Sequence, residues 1–105
     1  MTVHIPVSKL AQERVNRGVV FLNERFPGWL WKIDLENLDI SCFSWCLMGQ
    51  LVGGYEKASD ILGTNGGVRL GFDGSDLWIN NELTAAWKER ILELRAARSE
   101  HKEAA

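Results

Sequence analysis

Apolar side chains at Val15, Val19, Leu22 and Phe26 recur at intervals of four, three and four residues, which is the period of one helix face. Ser8 stands where an N-cap belongs and Pro27-Gly28 where a helix must stop, so a first helix is expected from about residue 9 to residue 26. On a helical projection Arg14, Arg17 and Arg25 gather away from that stripe and form a basic strip. Near the other end Leu83, Trp87, Ile91 and Leu94 repeat the same period behind Asn80 and Asn81, either of which can cap, with Glu82 in the positive first turn. A last helix follows, and beyond Ala97 the sequence is polar or Ala, so residues 98–105 are expected to fray.

The middle of the chain is less regular. Trp29 to Asp39 alternates only in part and suits irregular backbone with one helical turn. From Asp39 or Ser41 to Gly53 the chain is apolar nearly all round, as in a central core helix, with Cys42, Cys46, Gly49 and Gly53 along one side. Tyr55, Ala58 and Leu62 suggest a short third helix ended by Gly63, followed by a turn at Thr64-Asn65-Gly66-Gly67. Asp73-Gly74 between apolar residues would suit a small β-hairpin near residues 68–79, against which stand Gly71 and a poor alternation. The expected architecture is one mainly α domain over residues 1–105, a compact bundle of about four helices.

Composition narrows the functional classes. A chain of 105 residues with 46% hydrophobic and 25% charged side chains has the make-up of a folded single domain. A net charge of -2 removes the broad attraction to phosphate that non-specific nucleic-acid binding needs. The acidity is concentrated: residues 33–79 carry two basic and seven acidic side chains. The longest uncharged run, residues 40–55, falls short of the ~20 apolar residues that span a bilayer. The first residues show neither a signal peptide nor a lipidation motif, and two cysteines four apart in an apolar run read as buried thiols, so a cytoplasmic setting is expected.

No pattern for catalysis, cofactor or metal emerges. Cys42 and Cys46 offer two thiolates, whereas a structural zinc takes four ligands, and His4 and His101 both lie in terminal segments. Those histidines are also poorly placed as bases for a Ser or Cys nucleophile. Asp34, Glu36 and Asp39 could be read as an acid/base group, and more plainly as caps and solvated surface. Gly66, Gly67, Gly71 and Gly74 fit no phosphate-loop spacing, and Asp73 to Asp76 lacks the EF-hand order. A helix-turn-helix through Gly53-Gly54 would present a net acidic reading helix.

Five tryptophans are many for this length. Trp45 and Trp87 fall in the expected core, whereas Trp29 and Trp31, two apart, cannot share one face, which leaves one of them near the surface as a potential anchor for a partner. Trp29 and Trp31 with the strip Arg14, Arg17 and Arg25 are therefore the candidate partner-binding residues. The partner expected is a protein, either a host protein or a second copy of this chain, with nucleic-acid regulation through the basic strip as the alternative.

Several segments carry a resemblance: Phe26-Pro27-Gly28-Trp29, Ile33-Asp34-Leu35, Leu38-Asp39, Cys42 to Cys46, Gly49-Gln50-Leu51, Gly54-Tyr55, Leu70-Gly71-Phe72-Asp73 and Leu83-Thr84-Ala85-Ala86-Trp87. Together, over roughly residues 18–90, they resemble uncharacterised small proteins of actinobacteria and their bacteriophages. This chain places three residues between its cysteines, a wider spacing than that family's, so no role for the pair follows from the resemblance. What the resemblance implies is a compact accessory protein acting by binding, with no assigned activity and no catalytic or ligand residues to carry over.

Overall fold

The computed structural model describes residues 8–42, 44–53, 66–74 and 77–104, with side chains as far as residue 98 apart from that of Leu77. Five helical segments are present among them: α1 (Lys9–Arg25), α2 (Trp29–Lys32), α3 (Leu47–Val52), α4 (Gly66–Arg69) and α5 (Leu77–Ala104). The mainly α class is as expected. α5 is the spine: α1 and α2 both pack along it, α4 lies against α1, and α3 lies against α2.

α1 begins where its sequence says. The Ser8 hydroxyl accepts from the Ala11 amide at 3.1 Å, a cap that stabilises by about 1 kcal/mol, and the Ser8 amide donates to Glu82 Oε1 of α5 at 2.7 Å. The cap therefore also fixes the start of α1 against its neighbour. Val15, Val19 and Leu22 are buried with Ala11 and Gly18, and Phe26 is half-buried. Pro27-Gly28 ends the helix, Gly28 taking the left-handed conformation (φ +82°) that lets the chain turn straight into α2.

At Gly18, α1 comes close to the rest of the core. A Cβ there would lie 2.6 Å from Cζ2 of Trp87 and would meet the carbonyl oxygen of Leu70. The core around this point is a relay of rings. Trp87 meets Trp29 edge-on with centroids 6.1 Å apart, stacks on Phe72 at 5.6 Å, and Phe72 meets Phe21 at 6.0 Å. Both buried indoles satisfy their N–H: Trp87 donates to the Gly71 carbonyl at 2.7 Å and Trp29 to Asn23 Oδ1 at 2.9 Å.

Several expectations need correction. The apolar run from Asp39 is not one helix. Asp39 Oδ1 accepts from both the amide and the hydroxyl of Ser41, and the Asp39 amide donates to the Trp45 carbonyl at 3.1 Å, closing a loop ahead of α3. Such local side-chain bonds compete with helix formation. The helix starts only at Leu47, with Cys46 as its N-cap, so Cys42 and Cys46 do not share a helical face.

Trp45, placed in the core by that helix, is 43% exposed. No strand occurs among the described residues, and the hairpin near 68–79 is replaced by α4 and a turn in which the Gly67 carbonyl accepts from the amides of Phe72 and Asp73. α5 begins at Leu77, ahead of Asn80 and Asn81. Asn80 is inside the helix, where its Oδ1 accepts from the Gly74 amide at 2.7 Å and so ties down the preceding turn. The same helix continues to Ala104, because residues 98–104 contain no Gly or Pro to stop it. The helix expected around 55–62 lies outside the described residues.

Candidate functional site

The structure separates the two tryptophans expected to supply an anchor. On the single turn of α2, Trp29 faces inward and is 1% exposed, whereas Trp31 faces outward and is 59% exposed. Trp29 is thus a core residue, and a contact surface built here contains Trp31 without it.

What holds Trp31 is Arg95, from the far end of the core segment of α5. Its Nε and one terminal nitrogen donate to the Leu30 carbonyl at 3.0 and 2.8 Å, and the same terminal nitrogen donates to the Ile33 carbonyl at 2.7 Å. These are carbonyls that a four-residue helix leaves without internal partners. The guanidinium carbon also lies 5.6 Å from the Trp31 ring centroid, a cation–π contact of about 0.5–1 kcal/mol at an exposed site. One charged group therefore caps α2 and braces the exposed ring.

Sequence reasoning passed over Arg95. The signal was there: it continues the buried series Leu83, Trp87, Ile91 by one more step of four, so its stem is aimed at the core while its head reaches polar backbone.

The basic strip makes contacts of its own. Arg17 Nε donates to the Arg69 carbonyl at 3.2 Å, Arg25 lies 5.9 Å from the Phe21 ring centroid, and Arg14 is half-buried with its backbone against Gly71. Arg14, Arg17 and Arg25 belong to α1, and Trp31 takes its cation from α5 instead.

Behind α2 the loop is tied by Gln50. Its Oε1 accepts from the Asp34 amide at 2.6 Å, and its Nε2 donates to the Asp34 carbonyl at 3.2 Å and the Trp45 carbonyl at 3.1 Å. Asp34 itself accepts from the Asn37 amide and side chain, and the side-chain bond, at 2.9 Å, holds its carboxyl below the ordinary value. The carboxylates considered for acid/base chemistry are thus turn caps at Asp34 and Asp39.

Two open depressions border α5. One, of about 290 Å³, runs between α1 and α5 past Gln12, Asn16, Glu89, Arg90 and Glu93, where Arg90 and Glu93 pair at 3.2 Å. The other, of about 520 Å³, lies between residues 36–39 and α5 beside Asn81, Thr84 and Lys88. Among the described residues no three His, Cys, Asp or Glu side chains come together as a metal would require, and no helix is long and apolar enough to cross a membrane.

In comparisons with protein-family models, with curated proteins and with solved structures, the chain matches none.

Proposed function

We propose that this protein is a non-enzymatic accessory protein that acts in the cytoplasm through contact with another protein, and that Trp31 on its Arg95 brace is the centre of the contact. The observation that carries this reading is an exposed indole, 59% accessible, on a turn whose carbonyls are held by three charge-assisted hydrogen bonds. Tryptophan and arginine are enriched among the energetic centres of protein interfaces, and a ring already fixed loses little conformational freedom on binding. The partner expected is a host protein or a second copy of the chain, in line with the binding role implied by the resemblance to actinobacterial and phage proteins.

The nucleic-acid reading has less support. Arg17 is engaged by the Arg69 carbonyl, Arg25 sits against Phe21, and the net charge is -2. The test is affinity purification of the tagged chain from its native host, with and without nuclease at two salt concentrations, beside Trp31→Ala. Recovery of a stoichiometric protein partner, insensitive to nuclease and lost in Trp31→Ala, is the expected result; velocity sedimentation of both chains covers self-association. Nuclease-sensitive material that weakens steeply with salt would replace this proposal with the regulator. A partner retained in full by a folded Trp31→Ala would move the contact elsewhere.

A further inference from the structure

The brace under Trp31 and the larger of the two depressions share one line of α5. Asn81, Ala85 and Lys88 border the depression, Arg95 holds Trp31, and the exposed Leu92 stands between them. Steps of four, three, four and three residues keep these five positions on one face of the helix. The far wall of the depression is residues 36–39. At about 1.5 Å per residue, Ala85 in the depression and Arg95 under the ring are roughly 15 Å apart along α5. A projecting indole and an open depression of about 520 Å³ thus lie on the same surface.

Charge divides between the same two places. Beside the ring are Lys32, its neighbour in α2, and Arg95. Arg95 Nη1 makes no hydrogen bond among the described residues and is not sealed from solvent, so two N–H groups are open to an acceptor. The charged rim of the depression, Glu36, Asp39 and Lys88, is net negative, and none of the three is in an ion pair among the described residues. An isologous interface needs both halves of each contact on one molecule, whereas a foreign partner needs only one half.

We propose that this surface pairs two copies of the chain about a two-fold axis crossing α5 between Lys88 and Leu92, with Trp31 of each copy seated in the depression of the other. This rests on the reading of Trp31 as the contact centre and names a second copy as its occupant. The axis falls midway between Ala85 and Arg95, so the two α5 helices run antiparallel. Arg95 then arrives beside the partner's Glu36 and the partner's Asp39, Leu92 lies over the stem of the partner's Lys88, and every contact is made twice. The braced indole gives up little freedom on entering the depression.

The experiment is sedimentation of the purified full chain from about 1 µM to about 1 mM, the range in which a small interface shows itself. A monomer–dimer equilibrium is expected. Trp31→Ala removes the ring and Ala85→Arg fills the depression, and each should weaken the dimer at least about 30-fold, as at an interface hot spot. Mixed together, the two variants should associate more strongly than either does alone, because Trp31 of the Ala85→Arg copy finds an open depression on the Trp31→Ala copy. Glu36→Lys, at an exposed position, should also weaken the dimer and tests the surface should Ala85→Arg not fold. A dimer that folded variants leave intact, or variants that do not rescue each other, would overturn the proposal. A chain monomeric at the highest concentration overturns it too, and if a host protein is still captured through Trp31 then the second copy alone is wrong and the Trp31 contact stands.

Discussion

Gly18→Ala should destabilise the protein although it sits in the middle of a helix, where Ala is normally favoured over Gly by about 1 kcal/mol. Two opposing terms decide the sign. The new Cβ would lie 2.6 and 2.7 Å from Cζ2 and Cη2 of Trp87 and would also press on the Leu70 carbonyl. Trp87 cannot retreat freely, because its indole N–H donates to the Gly71 carbonyl at 2.7 Å and its ring is stacked on Phe72. Overpacking of a filled core costs about 1–3 kcal/mol, and stretching one buried hydrogen bond adds about 1 kcal/mol. After the helical gain the net loss is about 1–3 kcal/mol, a fall in Tm of at least roughly 4 °C for a chain of this size. Urea unfolding followed by circular dichroism measures it. Trp87→Phe removes the outer ring atoms but not the Leu70 carbonyl, so in that background the Gly18→Ala penalty should shrink by about 1 kcal/mol. Neutral or stabilising behaviour of Gly18→Ala in the native background would refute the close approach of α1 to α5 at this point.

Arg95→Ala should cost about 2–3 kcal/mol by stranding the Leu30 and Ile33 carbonyls, with Arg95→Lys intermediate; a loss under about 0.5 kcal/mol in urea unfolding would show that the brace is decorative. Stability should also decline at alkaline pH. Because burial raises the Cys46 thiol in the folded state, its contribution is whole below the unfolded thiol's pKa of about 8.5 and is lost as pH rises through the folded value. In Cys46→Ala that part of the decline should vanish, and an unchanged alkaline profile would assign it to other groups.

The strongly periodic parts of the fold were legible in the sequence. Val15, Val19 and Leu22 of α1 and Leu83, Trp87 and Ile91 of α5 are all buried as their spacing requires. The misreadings fall where local hydrogen bonding outweighs period. The uncharged run of residues 40–55 looks like one helix until Asp39 and Ser41 are seen to close a loop that delays α3 to Leu47. Trp45 then lies on that loop and not in the core. Asn80 resembles a cap and is one, but for the Gly74 turn and not for its own helix.

At the candidate site, spacing alone could say that Trp29 and Trp31 face different ways, but not which way. The choice depends on Trp87 and Arg95, 58 and 64 positions further along, whose approach no local pattern encodes.

That separation has a consequence for how the chain is made. Until residue 87 has left the ribosome, Trp29 has no indole to meet, and until residue 95 has followed, the carbonyls of Leu30 and Ile33 lack the donor that holds them. At about 5–20 residues per second, the α2 turn waits several seconds in a state where both indoles can reach water or a chaperone. Trp31 therefore emerges well before the group that orients it, and a partner that requires the braced ring would bind only once residue 95 has followed.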